Sequence, residues 1–278
     1  MSDIRATRRT YATAIAASEN VQNSALVEAF ATVPRENFLS AGPWKILKWN
    51  GDGYRNTPDD DPVHVYEDAC IAIDPVRRLN NGEPGLHMGL LHDLNPVAGE
   101  HVVQVGAGTG YYTAILAELV GSTGRVTAIE YDPALARRAA DKLAAYPSVT
   151  AICADGSTYV TDPADGIYVC AGVTALSSLW LDSLTASGRL IVPLTTDAWE
   201  GQILHIRRQG SSFAARFVRP CGFIPCMGAR DSRSEALLAE ALGSGGMETV
   251  RSLRRDSHGP DASCWLHGEK YCLSRNSP

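Results

Sequence analysis

The sequence has no run approaching the roughly 20 apolar residues of a membrane-spanning helix, and nothing in it asks for a bilayer. It has no excess of positive charge: 25 Lys and Arg stand against 31 Asp and Glu, a formal charge of −6. That balance excludes broad electrostatic binding to nucleic acid or to an anionic membrane surface. No internal repeat or low-complexity tract is visible, and no Cys-x-x-Cys pair occurs among the seven cysteines. What remains is ordinary for a soluble globular protein: 278 residues, 45% hydrophobic and 20% charged. That length suffices for one large domain, or for a domain with an appendage.

An odd cysteine count argues against a disulfide framework, and Cys153 and Cys170 fall in apolar runs that read as core strands. A thiol there behaves as a small apolar group, so a reduced, cytoplasmic protein is the simplest reading. Cys221 with Cys226, or Cys264 with His267 and Cys272, could be argued as a zinc site. Neither spacing matches a common ligand pattern, and no metal is expected. The first twenty residues place Arg5, Arg8 and Arg9 before a weakly apolar Ala-rich run holding Thr10, Tyr11 and Thr13. They read as a helix rather than a signal peptide.

The chain is organised around HVVQVGAGTGYYTAILAELVG, residues 101–121. An apolar run of strand length, His101 to Val105, breaks into Gly106-Ala107-Gly108-Thr109-Gly110. A helical pattern follows, with Tyr112, Ile115, Leu116, Leu119 and Val120 on one face. Glycine lets backbone approach a ligand closely, and the helix start offers free N–H groups to its polar parts. The strand-like RVTAIE at 125–130 ends in Glu130, about twenty residues on, where a nucleotide fold places its ribose-binding carboxylate. Asp132-Pro133 caps and starts another helix. VTAICAD then ends in Asp155-Gly156. Two acid-ending strands beside a glycine turn predict a ligand site at the carboxyl edge of a parallel sheet.

The flanking chain follows suit. Residues 2–32 read as amphipathic helix with a break near Asn20–Asn23. Residues 40–62 look loop-like, with Trp44 and Trp49 pinning the loop to the body. VYEDACIAID at 65–74 has strand character, LNNGEPGLH at 79–87 is turn-rich, and a helix follows from Met88. Strands are expected at 164–172 and 188–193, with a helix over 177–184 between them. An antiparallel pair is expected around Gly210, a helix over 232–243, and two short strand-like runs after it. Alternating strands and helices up to residue 193 predict an α/β fold with a parallel sheet, to which the late hairpin adds antiparallel edge strands.

Several stretches together resemble the protein-L-isoaspartate O-methyltransferase family. VPRENF at 33–38 is similar to its Val-Pro-Arg-Glu-x-Phe signature, and VGAGTGYYTAILAELVG at 105–121 to its cofactor loop and following helix. SGRLIVPL at 187–194 and FIPC at 223–226 are similar to later family segments. The likeness spans about residues 20–228. It implies a doubly wound, Rossmann-like class I methyltransferase sheet with antiparallel edge strands and a C-terminal extension. The expected organisation is a helical and loop region at 1–78, an S-adenosylmethionine-binding core at 79–228 and a packed extension at 229–278. The implied activity is S-adenosylmethionine-dependent methyl transfer, as carboxyl O-methylation of a peptide or protein. A peptide, protein or small-molecule acceptor is the expected partner, with no nucleic acid and no membrane.

The resemblance implies cofactor contacts from Asn80, Gln104, Gly106, Ala107, Gly108, Thr109, Gly110, Tyr111, Glu130, Tyr131, Asp155 and Gly156. It places Asn81, Gly82, Glu83 and His87 at the reacting end. Two positions depart from the family's pattern. Gln104 stands where the family has an acid. Aligned on Pro84, Gly82 stands where the family has its active-site serine. Three other readings stay open: a methyltransferase for a different small-molecule or peptide acceptor, a non-catalytic cofactor-binding homologue, and a nicotinamide-dependent oxidoreductase. The last conflicts with Tyr111, which occupies the position where G-x-G-x-x-G needs its third glycine.

Overall fold

The computed structural model describes residues 3–48 and 53–278. The expectations for Trp49 and for the loop at 49–52 lie outside those residues. The chain divides into two compact units. One comprises Met1–Gly99, Ala107–Ala128 and Asp132–Ile152; the other comprises Glu100–Gly106, Ile129–Tyr131 and Cys153–Pro278. Among the described residues no helix is long and apolar enough to cross a membrane.

The first unit opens with α1, Ile4–Ser18, whose N-cap Asp3 accepts the Arg5 N–H. Asn20, at φ 54°, breaks the chain where the sequence suggested. α2, Ser24–Thr32, restarts under the Asn23 side chain, which accepts the Leu26 N–H at 3.1 Å. Buried Tyr11, Ile15, Leu26 and Phe30 line these helices. The stretch expected as loop holds β1, Lys45–Leu47, and β2, Tyr54–Asn56. These join β3, Ile71–Asp74, and β4, Leu79–Asn81, in a small antiparallel sheet of order β2-β1-β3-β4.

The strand read over 65–74 is confined to its last four residues, because Pro62–Val65 forms a 3-10 turn. The carbonyls of Val65, Glu67 and Ala69 turn inward to a buried arginine instead of joining a ladder. The turn-rich stretch at 79–87 is strand β4, then Gly82 and Glu83, then α3, Pro84–Leu94. That helix starts four residues before the expected Met88 because Pro84 sits at its first position, where a missing N–H costs nothing. α4, Tyr111–Val120, and α5, Pro133–Leu143, complete the unit's helices. Asp132 caps α5 by accepting the Ala134 and Leu135 N–H groups at 2.8 and 3.0 Å.

The second unit is built on a mixed sheet. Its strands are β5 (His101–Val105), the end of β6 (Arg125–Glu130), the end of β7 (Val149–Cys153), β8 (Ala164–Val169) and β9 (Leu184–Thr195). They continue with β10 (Gly201–Gln209), β11 (Ser212–Pro220), β12 (Ser252–Arg254), β13 (Cys264–His267) and β14 (Cys272–Ser274). From β13 the order runs β13-β14-β12-β11-β10-β9-β8-β5. β5, β8 and β9 are parallel. From β9 outward every pairing is antiparallel. The Gly106 N–H donates to Ile129 O and the Ala154 N–H to Glu130 O, at 2.8 and 3.0 Å, which brings the carboxyl ends of β5, β6 and β7 side by side. α6 (Ser178–Ser183) and α7 (Ser232–Ser244) lie in this unit. Its core packs Val103, Ile167, Trp180, Val192, Leu204, Leu238, Leu253, Trp265 and Leu273 together. Cys153 is exposed, not a core thiol, because β7 is half-buried along its length.

Candidate functional site

Three glycines in the turn after β5 adopt left-handed backbone: Gly106, Gly108 and Gly110, at φ 82°, 59° and 97°. L side chains resist those angles, which accounts for the glycine spacing. The Gly110 N–H donates to Ala107 O at 2.9 Å and its carbonyl receives the Ala114 N–H, so the turn runs straight into α4. Thr109 within this turn is 1% exposed, and its Oγ1 has no hydrogen-bond partner among the described residues. A buried hydroxyl left unmatched is costly, and a ligand's polar group would satisfy it. Tyr111 was expected to touch the cofactor. Its ring is buried against Phe30, Phe38 and Tyr112, with Arg35 over its face, and burial holds its hydroxyl pKa well above the usual range. Its backbone N–H remains the part suited to a ligand.

In the second unit, Glu130 ends β6 almost fully buried and Tyr131 beside it is about half exposed. Gln104 is buried in β5 and donates from Nε2 to Cys170 Sγ at 3.4 Å. Burial raises the Cys170 thiol pKa to about 12, and the Glu130 carboxylate adds to that rise. Asp155 Oδ1 accepts the N–H and the hydroxyl of Ser157 at 2.9 and 2.7 Å, so one carboxylate oxygen organises its own turn. Gly156 offers its carbonyl to Trp180 Nε1–H at 2.7 Å. A side chain at Gly156 would meet Val105 Cγ1 at 2.6 Å, so glycine is needed for this packing.

The stretch 80–87 lies in the first unit and is held by a residue whose role the sequence did not suggest. Arg35 is fully buried. Its Nε donates to Asn81 Oδ1 at 3.0 Å, Nη1 to the Val65 and Glu67 carbonyls, and Nη2 to those of Ala69, Asn81 and Gly82. Asn81, expected at the reacting end, is thus a buried partner of Arg35. Asn80 accepts the Tyr54 hydroxyl at 2.8 Å. Glu83 takes extended geometry, φ −68° and ψ 122°, as the residue before a proline should. Nearby, Arg77 pairs with Asp74 and Asp132.

His87 stacks face to face on Tyr112, with ring centroids 3.6 Å apart and planes 7° from parallel. The Tyr112 hydroxyl donates to Gly82 O at 2.7 Å. A side chain added at Gly82 would put its first carbon 2.2 Å from His87 Nε2. Burial, assisted by the Arg35 charge, pushes the His87 pKa down to about 3, so the ring is neutral. Gly82 is therefore matched to the imidazole beside it. Tyr112 was read from the sequence only as a core-facing helical residue. Its hydroxyl is what ties α4 to the stretch at Gly82.

The model of the protein-L-isoaspartate(D-aspartate) O-methyltransferase family matches residues 12–231. The chain belongs to this family. It is therefore an enzyme of methyl transfer. Among curated relatives, the protein-L-isoaspartate O-methyltransferase of Ignicoccus hospitalis is 27% identical over 209 residues, 74% of this chain and 90% of the relative. Protein-L-isoaspartate O-methyltransferase 2 of Archaeoglobus fulgidus is 41% identical over 171 residues, 60% of this chain and 69% of the relative. The methyltransferase also shares its fold with solved structures. A protein-L-isoaspartate O-methyltransferase aligns with TM-score 0.63 at 20% identity, covering 85% of this chain and 69% of the other. A Plasmodium falciparum structure titled as a beta-aspartate methyltransferase in complex with S-adenosyl-L-homocysteine aligns with TM-score 0.62 at 15% identity, covering 79% and 97%.

Proposed function

We propose that this methyltransferase uses S-adenosylmethionine to methylate a carboxylate of a peptide or protein. The observation that carries the reading is the state of His87. A group with a pKa near 3 is a poor proton acceptor at neutral pH. Of the other titratable groups near this stretch, the Tyr111 hydroxyl is buried among aromatics, and His92 faces solvent near the end of α3. An amine or hydroxyl acceptor would need such a base. A carboxylate is already ionised. Its oxygen forms the new C–O bond as the methyl–sulfur bond breaks, and no proton moves. What the protein must supply is alignment and exclusion of water, worth several orders of magnitude in rate.

The residues present suit the cofactor, which supplies an electrophilic methyl group on a sulfonium. The turn Gly106–Gly110 allows close backbone approach, and the Thr109 hydroxyl is a buried group in want of a partner. Glu130 would accept from ribose hydroxyls, with Tyr131, Asp155 and Gly156 flanking it. Gln104 keeps an acceptor but gives up the charge that would pair with the cofactor's ammonium group. On the acceptor side Gly82 replaces the serine and His87 fills the adjacent space. Generic isoaspartyl peptides should therefore be poor substrates, and a dedicated acceptor good. Titration calorimetry with S-adenosylhomocysteine and with NAD tests the cofactor assignment. Binding of the first alone is expected, and binding of NAD alone would overturn it.

A further inference from the structure

The C-terminal segment lies beyond the family match, which ends at residue 231. It gathers four side chains that no part of the methyl-transfer site uses. His258, Cys264, His267 and Cys272 each offer one ligand atom, and the four atoms lie within 4.8 Å of one another. The geometry points to a structural zinc site of the Cys2His2 type at this place.

The spacing of Cys264, His267 and Cys272 argued against a metal because it counted three residues and left out the loop before them. β13 and β14 pair with His267 opposite Cys272. Cys264 is three residues before His267, and in a regular strand that odd spacing would put the two on opposite faces. The register shifts between Cys264 and Leu266. A bulge of this kind re-aims one side chain, and it brings Cys264 Sγ to 3.7 Å from His267 Nδ1. The loop from Asp256 to Ser263 then returns His258, whose Nε2 lies 3.6 Å from Cys264 Sγ.

These two sulfur–nitrogen separations are those of a metal's ligand shell. Tetrahedral zinc, at about 2.3 Å from sulfur and about 2.05 Å from nitrogen, sets sulfur and nitrogen ligands about 3.6 Å apart. The surroundings are those of a ligand set held in place. His258 Nδ1 lies 2.9 Å from Asp256 O. A proton donated there leaves Nε2 with its lone pair toward the cluster, the outer contact that orients ligating imidazoles. The Asp261 N–H reaches Cys264 Sγ at 3.5 Å and would stabilise a thiolate. Asp261 Oδ1 holds the Ser263 N–H and hydroxyl at 2.8 and 2.6 Å, and Arg254 ties Asp256 at 2.7 Å, so the loop is fixed at both ends. The two cysteines are free thiols. On binding, each releases its proton to solvent. Two thiolates and two neutral imidazoles then balance the dication with no coordination position left open, so the site's role is structural.

Metal analysis of the full-length protein, purified under reducing conditions and reconstituted with zinc, decides this. About one zinc per chain is expected. Cobalt in its place should give the intense visible bands of a tetrahedral site and thiolate charge-transfer absorption. His258 stands on a loop, so His258→Ala should remain folded while zinc affinity falls at least about 100-fold. Cys272→Ser removes a buried ligand, and chelation of the wild-type protein gives a second readout independent of its folding: a lowered Tm restored by zinc. Substoichiometric zinc after reconstitution, wild-type affinity in His258→Ala, or a Tm indifferent to chelator would each overturn the assignment.

Discussion

Arg35 and Asn81, 46 residues apart, are joined twice: the guanidinium Nε donates to the Asn81 side chain at 3.0 Å and Nη2 to its backbone carbonyl at 3.4 Å. One buried cation thus fixes the stretch that carries Gly82. Arg35→Met should abolish these bonds and strand several buried carbonyls. At about 1–3 kcal/mol for each unsatisfied group, some reached by water, the expected loss is at least about 3 kcal/mol. Urea unfolding measures it. Arg35→Lys should recover little, because an ammonium cannot reproduce the planar fork of donors. A loss below about 1 kcal/mol in Arg35→Met would show that the network does not hold the loop.

Gly82→Ser should not restore the family's ordinary chemistry. Its Cβ would collide with the His87 ring at Nε2, and the stack on Tyr112 holds that ring in place. We expect destabilisation of about 1–3 kcal/mol, the usual cost of overpacking. In the double variant with His87→Ala the cost should be smaller than the sum of the single effects. Strict additivity in unfolding experiments would mean that the two positions do not meet.

His87 also sets a pH dependence. Its pKa is about 3 in the folded protein and near its ordinary 6.5 when unfolded. Between those values the unfolded chain binds a proton that the folded chain does not. Stability contributed by neutral His87 is therefore intact above about pH 6.5 and lost as pH falls, at a slope approaching about 1.4 kcal/mol per unit. His87→Phe, which keeps a ring on Tyr112, should flatten the profile between pH 7 and pH 5. Equal slopes in the two proteins would contradict the assignment.

The segment after residue 246 should behave as part of the folded body. β12 pairs with β11, and Leu253, Trp265, Leu266 and Leu273 enter the same core as β9 and β10. Deleting residues 247–278 uncovers that core and an edge of the sheet. A marked fall in Tm and aggregation are expected. Rapid proteolytic release of the segment, with no change in the melting of the remainder, would contradict this.

The carboxyl-edge reading was legible because it rests on local rules. Glycines at 106, 108 and 110 take left-handed angles, Asp132-Pro133 caps α5, and Glu130 ends a strand. The stretch at 80–87 was misread because its conformation depends on distant groups. Nothing near Asn81 announces Arg35, and a turn signal at Asn-Gly yielded to pairing with β3 and to Pro84 as a helix start. The carbonyls at 65, 67 and 69 left their expected strand for the same arginine. Three members of the cluster at 258–272 are visible in the sequence, but their spacing argues against a metal for a related reason. A bulge reverses the face of Cys264, and spacing in the sequence does not show a bulge.

The central claim is methyl transfer to a carboxylate. Its most direct test follows a tritiated methyl group from S-adenosylmethionine into polypeptide, then treats the product with mild base. A carboxyl ester releases the label as volatile methanol; a methylated amine or hydroxyl keeps it. The account predicts base-labile label on a specific polypeptide acceptor and little on generic isoaspartyl peptides. Base-stable label would contradict it.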